Sequence, residues 1–330
     1  MHRIAQIGAG RMGAVHLANA ARNPRLEVVW LVDPRPDAQA IAASAGARIA
    51  SVDQVLADAS IEGVVVASST DTHLALVKAC LAAGKAVFCE KPLDLSLASV
   101  LAAEPELGHP KTPLFVAFNR HFDPQVRGLR AKIAAGEIGD LETLQVISHD
   151  PAPPPANFIP TSGGLFKDFA IHDLDMACWL MPDPIIEVFA WASCLVDPAI
   201  AKAGDVDTAR TLLRDARGRL CSISNTRRSG CGYDQRVEAF GSTGMASAGD
   251  LVTDSVQVWR EAGPQTAPRH KDFISRYAKA YSAEIDHFAD MLAGAAQPET
   301  GYADSVRSLR LAEAAAHSVA IGAPVRLQGT

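Results

Sequence analysis

The sequence predicts an α/β chain: a doubly wound parallel sheet over residues 1–119, then an α+β domain on a large, mainly antiparallel open sheet over residues 120–330. Three observations predict it. Short apolar runs alternate with helix-like segments up to about residue 120, the rhythm of a parallel sheet covered on both faces. A glycine-rich turn directly follows the first apolar run. Beyond residue 120 the strands come in succession, separated by turn residues. A chain of 330 residues has enough material for two cores.

In the first half, Arg3–Ile7 reads as a strand, followed by a glycine turn and an amphipathic stretch through Ala21. Leu26–Val32 and Gly63–Ala67 are further β-rich runs, with alanine-rich helical segments between them at Asp37–Ala45 and Val52–Ala57. Ala86–Cys89 and Leu114–Phe118 complete the buried strands. In the second half a helix is expected over Asp123–Ala135, ended by Gly136, then a strand over Leu141–Ser148 and a proline-rich loop over Pro151–Pro160. A helix through Trp179 precedes strands at Ile185–Cys194, Ala209–Arg214, Arg219–Asn225, Gln235–Phe240 and Val256–Arg260. Asp215–Gly218 suits a hairpin turn, because glycine takes positive φ without strain. Two helices, Ser275–Ala293 and Ala303–Ala320, close the chain.

Composition narrows the function. A hydrophobic share of 48% and a charged share of 21% describe an ordinary globular protein. A net charge of −6 argues against nucleic acid as the main partner, since phosphate binding needs a positive surface. The 6 cysteines contain no CxxC pair, so neither a disulfide framework nor a thiolate zinc site is expected. Nor is any other metal site: His172 and Asp173 are adjacent, and no HxxxH pair exists. No run of about 18 apolar residues suggests a membrane span, and Arg11 interrupts the early apolar stretch. A cytoplasmic location, with no membrane partner, is the expectation.

Gly8-Ala9-Gly10-Arg11-Met12-Gly13 is GxGxxG between a strand and a helix. Gly8 permits the tight turn, Gly10 a close approach of pyrophosphate, and Gly13 close helix–strand packing. The helix N-terminus adds unpaired N–H groups and a partial positive charge. Asp33 ends the second strand, where its carboxylate is suited to the ribose hydroxyls. This is the dinucleotide-binding Rossmann pattern, although FAD and S-adenosylmethionine binders share its parts. Asp33 favours NAD, because a carboxylate repels a 2′-phosphate; Arg35 offsets that in part and leaves NADP open.

Three further segments put polar residues where core is otherwise expected. Ser68-Ser69-Thr70-Asp71-Thr72-His73 follows the GVVVA strand at the carboxyl edge of the sheet, where ligands of open α/β folds bind; it also reads as a capped helix start, with Thr70 or Asp71 as N-cap. Glu90-Lys91-Pro92 follows another strand at the same edge. In Gly163–Leu174, a helix would set Asp168 and His172 four residues apart on one face. Buried Asp–His pairs are also common as satisfied core pairs.

Together these segments resemble the Gfo/Idh/MocA oxidoreductases and, within them, the inositol 2-dehydrogenases. GAGRMGAVH, SSTDTH, EKPLDLS, FNRHFDP, GGLFKDFAIHDLD, AYSAEIDHF and YADSVRSLRLAEAA carry the likeness across nearly the whole chain. The resemblance implies Lys91, Asp168 and His172 as the catalytic lysine, aspartate and histidine. His172 would take the hydroxyl proton, Asp168 would orient the ring and stabilise imidazolium, and Lys91 would stabilise charge on the substrate oxygen. Their side chains must then meet at the nicotinamide. Cofactor contacts are expected from the glycine turn with Arg11 and Met12, from Asp33 and Arg35, from Ser69, Thr70 and His73, and from Glu90, Lys91 and Asn119. Arg120, His149 and Tyr233, with the three catalytic residues, match substrate contacts. The resemblance also implies a cis Lys91–Pro92 peptide and a homotetramer built on the open sheet. Residues 70 and 71 depart from the family's usual Pro and Asn, which touches the detailed bonds of that loop. The implied reaction is oxidation of myo-inositol to the 2-keto inosose by NAD. Other readings are another sugar or polyol (scyllo-inositol, a glucoside, an anhydrosugar, a dihydrodiol or an aldose) and a non-catalytic NAD(P)-sensing regulator.

Overall fold

The computed structural model describes residues 1–155, 157–249 and 251–327. Its elements begin with β1 (His2–Ile7), α1 (Arg11–Arg22), β2 (Leu26–Val32), α2 (Ala38–Ser44), β3 (Arg48–Ile49), α3 (Val52–Ala57), β4 (Gly63–Val66) and α4 (Thr70–Ala82). β5 (Ala86–Glu90), α5 (Leu97–Ala102), α6 (Glu104–Leu107) and β6 (Leu114–Ala117) follow, then a 3₁₀ turn at Asn119–Phe122. Next come α7 (Pro124–Ala134), β7 (Leu141–His149), α8 (Ile159–Ser162), a π-helical turn at Leu165–Ala170, α9 (Ile171–Leu180), β8 (Ile185–Ser193) and α10 (Pro198–Lys202). The remaining strands are β9 (Thr208–Asp215), β10 (Leu220–Thr226), β11 (Asp234–Gly241), β12 (Gly244–Gly249), β13 (Gln257–Arg260) and β14 (Gly263–Thr266). The chain closes with α11 (Phe273–Arg276), α12 (Ala278–Leu292), α13 (Tyr302–Ile321) and β15 (Val325–Arg326).

Two compact units result. The first contains Met1–Phe122 and Lys279–Leu309; the second contains Asp123–Ala278 and the chain from Arg310 on. In the first unit six strands run in the order β3-β2-β1-β4-β5-β6, every pair parallel. The order reverses between β1 and β4, so the switch-point crevice lies beyond their carboxyl ends. Local chemistry starts the helices: Ser51 and Gln54 form a reciprocal capping box on α3. Residues 279–309 return to this sheet because Gly63 on β4 leaves room for Phe288. A Cβ at Gly63 would lie 2.8 Å from that ring.

The second unit has a seven-stranded sheet in the order β12-β11-β7-β10-β9-β8-β15. β7 and β10 are parallel and the other pairs antiparallel. One face packs Leu144, Val146, Leu213, Ile223 and Val237 against Leu165, Phe169 and Leu174 from the helical layer. The β9–β10 hairpin turns as expected at Gly218, φ +87°, with Asp215 accepting from the amides of Arg217 and Arg219.

Some sequence expectations need correction. The cap of α4 is Ser69, not Thr70 or Asp71. The Asp168 segment is a π turn rather than regular α-helix, so four-residue spacing does not by itself align it with His172. The strand near Val256 belongs to a separate two-stranded sheet with β14. The expected loop Pro151–Pro160 runs into α8 at Ile159, and its Ala156 lies outside the described residues.

Candidate active-site elements

In the first unit β1 ends at Ile7 and the chain turns at Gly8, φ +92°. A Cβ there would lie 2.5 Å from the Ala67 carbonyl oxygen, and one on Gly13 would lie 2.4 Å from the Gly8 oxygen. Gly10 is different: nothing lies within 4 Å of its Cβ direction, leaving backbone open to a ligand. Gly10 caps α1 without a side-chain bond, and no acidic residue occupies the first turn. The orphan amides and helix dipole therefore present unopposed positive potential, as a dinucleotide phosphate requires. Buried Gln6, which sequence reasoning passed over, braces the turn by donating to the carbonyls of Gly8 (2.8 Å) and Gly13 (2.7 Å).

Asp33, at the end of β2, accepts from the Ala9 amide at 2.6 Å and from the backbone amide and Nε of Arg35, each at 2.9 Å. Burial opposes its ionisation, but these donors outweigh burial and hold the carboxyl below its ordinary range. Arg35 is thus committed to Asp33 and to the Ala9 carbonyl. The carboxylate keeps spare lone pairs for hydroxyl donors.

The other edge residues are linked through His73. Its Nδ1 donates to the Pro92 carbonyl at 2.9 Å, and its Nε2 lies 3.2 Å from the Ser68 carbonyl. One buried imidazole on α4 thus joins the loop after β4, which carries Ser68 and Ser69, to the loop after β5. Glu90 ends β5 and meets His16 Nε2 at 2.5 Å. Burial again opposes ionisation and is outweighed, here by the His16 bond and by the charges of His16, Lys91 and His73. The Lys91–Pro92 peptide is cis, as the resemblance implies. Asn119 and Arg120 lie buried in the 3₁₀ turn after β6. Glu284 on α12 also belongs to this unit and was not singled out from sequence. It is fully buried, and neither of its oxygens has a hydrogen-bond partner among the described residues.

In the second unit Asp168 lies on the π turn and His172 on the first turn of α9. Arg227, just past β10, reaches Asp168 Oδ2 with Nη2 at 3.4 Å. Asp173 accepts from Ser148 Oγ at 2.6 Å and from Asn225 Nδ2 at 2.7 Å. Gln235 donates to Ser148 and accepts from Tyr277 OH at 2.7 Å. This buried network ties β7, β10 and β11 to the start of α9.

His149 makes other contacts. Its Nε2 lies 2.8 Å from Ser224 Oγ, and its Nδ1 lies 3.5 Å from Asp234. By strand alternation it faces away from Ser148 and the Asp173 network. Asp234 is held well below the usual carboxylate range: burial opposes ionisation, but His149, Arg236 and Arg269 outweigh it. Tyr233 is buried, edge-on to Tyr277 with ring centres 6.0 Å apart. The structure thus groups the cofactor candidates with Lys91 and Arg120 in one unit, and Asp168 and His172 with Arg227 in the other. Among the described residues no group of three or more potential ligands could hold a metal ion.

Residues 2–104 match the family model for an oxidoreductase family with an NAD-binding Rossmann fold, and residues 126–247 the GFO/IDH/MocA C-terminal domain. The chain is 39% identical over 319 residues to inositol 2-dehydrogenase of Rhizobium meliloti (strain 1021), covering 96% of this chain and 97% of that protein. A crystal structure of a myo-inositol dehydrogenase from Corynebacterium glutamicum superposes with TM-score 0.94 at 40% identity, covering 100% of both chains. Scyllo-inositol dehydrogenase from Lactobacillus casei, with bound NAD(H) and scyllo-inositol, matches with TM-score 0.92 at 25% identity over 99% of each chain.

Proposed function

The chain belongs to the GFO/IDH/MocA oxidoreductase family, and from that premise we propose that it is an NAD-dependent dehydrogenase oxidising a ring hydroxyl of a cyclic polyol, myo-inositol first, to the 2-keto inosose. The observation that carries this reading is the 39% identity to an inositol 2-dehydrogenase over 96% of the chain, spread through both units.

NAD, when bound, accepts the hydride; alignment and proton handling fall to the chain. The bare backbone at Gly10 and the first amides of α1 suit the pyrophosphate, and Asp33 suits the ribose. In the proposed chemistry Lys91 donates a hydrogen bond to the substrate oxygen and stabilises negative charge there. A ring nitrogen of His172 takes the hydroxyl proton, and the Asp168 carboxylate stabilises the imidazolium that forms. Arg120, His149 and Tyr233 are proposed to bind the remaining hydroxyls, His149 from a ring that also contacts Ser224 and Asp234.

The test is a panel followed by NADH absorbance: myo-inositol, scyllo-inositol, glucosides, anhydrosugars, dihydrodiols and aldoses, each with NAD and NADP. The highest kcat/KM is expected for myo-inositol with NAD. Scyllo-inositol is the chief competitor, because the Lactobacillus casei structure holds it. Faster turnover of another class reassigns the substrate. Cofactor binding without turnover across the panel points to a sensor instead.

We further propose a cytoplasmic homo-oligomer, a tetramer, built on the open sheet of the second unit. Trp191 is 64% exposed, Leu212 47%, Leu220 51% and Met245 52%. Apolar exposure on that scale usually marks association. All six cysteines are free, which suits a reducing compartment.

A further inference from the structure

We infer that Arg227 is a positioning residue for the dehydrogenase reaction, holding the Asp168 carboxylate in place from the end of β10; the inference rests on the catalytic assignment proposed above. Three observations carry it. Arg227 is only 1% exposed, and its Nη2 lies 3.4 Å from Asp168 Oδ2. Its backbone is itself fixed, the N–H donating to the Asp207 carbonyl at 2.9 Å, and its guanidinium lies 5.9 Å from the Phe169 ring centre. Two residues earlier, within β10, Asn225 donates to Asp173 Oδ2 at 2.7 Å. Residues at and just beyond the end of β10 therefore hold two carboxylates that flank His172 in sequence.

The local backbone explains why such a grip is needed. Asp168 lies on a π turn, which breaks the regular helical ladder and recurs at functional sites. There the direction of a side chain depends on its tertiary contacts more than on helical spacing. A guanidinium taken out of water needs a compensating anion, and removing one partner of such a pair leaves the other uncompensated. Asp168 supplies that anion here. Arg227 in turn fixes the direction in which the Asp168 side chain points, so that Asp168 is held in one orientation by a contact from outside its own turn. Arg228, the next residue, is exposed and serves as the control.

The experiment is a double-mutant cycle on the full chain. kcat and KM for myo-inositol are measured for wild type, Arg227→Met, Arg227→Lys, Asp168→Asn, the Met/Asn double variant and Arg228→Met. Melting transitions and NADH-binding fluorescence serve as folding controls. Asp168→Asn and Arg227→Met should each lower kcat roughly 10- to 100-fold, the range of positioned acid–base groups, with NADH affinity retained. The double variant should lie within about 3-fold of Asp168→Asn alone, since residues acting as a unit are not additive. Arg227→Lys should recover part of the loss, and Arg228→Met should behave as wild type. Near-normal kcat in a folded Arg227→Met variant, or losses that multiply in the double variant, overturns the inference while leaving the catalytic assignment standing. If Arg227→Met does not fold, the same cycle built on Arg227→Lys decides on the same additivity criterion. Full turnover in Asp168→Asn, or no polyol turnover in wild type, instead sinks the proposed function and this inference with it.

Discussion

Asp33, the residue after β2, and Glu90, the last of β5, share one chemical situation. Each is a carboxylate drawn into a partly closed edge and kept ionised by donors that outweigh burial. Glu284 is the opposite case. Burial pushes its carboxyl well above the ordinary value, and the charge of Glu90 adds to that. The folded chain thus retains a proton that the unfolded chain releases near pH 4.5, so Glu284 costs stability as pH rises from there toward its raised folded pKa, with a limiting slope of about 1.4 kcal/mol per pH unit. Glu284→Gln removes that slope: its melting temperature should exceed that of wild type by a margin that widens with pH. A constant difference from pH 5 to 8 would show that the carboxyl is not held neutral. On the catalytic side, Lys91→Ala and His172→Ala are each expected to cut kcat at least about 100-fold, the scale of general acid–base contributions. Near-normal turnover in both rejects the assignment.

Among the elements, the β1–α1 turn was the most legible in sequence, because its requirements are local. Gly8 must take a positive φ and let the chain pass the Ala67 carbonyl, and Gly13 must let the helix pass Gly8. A Gly8→Ala substitution meets both a close contact and a left-handed backbone. It should destabilise the fold by about 1–3 kcal/mol from backbone strain alone, read as a lowered melting temperature together with weakened NADH binding; an unchanged melting curve contradicts the turn geometry. The π turn was not legible, since GGLFKDFAIHDLD reads equally as continuous helix. Arg227 was missed because its partner lies 59 positions away. A weaker signal was present all the same. Cys221 and Ile223 set the buried parity of β10, and Asn225 and Arg227 continue it with polar side chains. Gln6 within the apolar β1 and Glu284 between Tyr281 and Ile285 carry the same mark. Polar residues on a core face usually have a stated partner or a task.

For the molecule as a whole, the sheet of the second unit carries the apolar surface that the proposed oligomer would cover. Its inner face is packed by the helical layer, and its outer face carries Trp191, Leu212 and Met245 exposed to solvent. If copies associate through it, light scattering should report a tetramer. A Trp191→Glu/Leu212→Glu double variant should then lower the mass while leaving the melting transition of each unit cooperative. A wild-type monomer across micromolar concentrations removes the proposal.

The residues alone determined the parallel first sheet, its cofactor turn, the antiparallel character of the second sheet and the family. These follow from short-range requirements: the two-residue period of a strand, a glycine where φ must be positive, and motifs read in order. Only the tertiary structure decided that residues 279–309 pack back onto the first sheet, that β7 and β10 run parallel, and that Arg227 faces Asp168. Those depend on contacts between segments distant in sequence, where many partners satisfy the same local pattern and packing selects one.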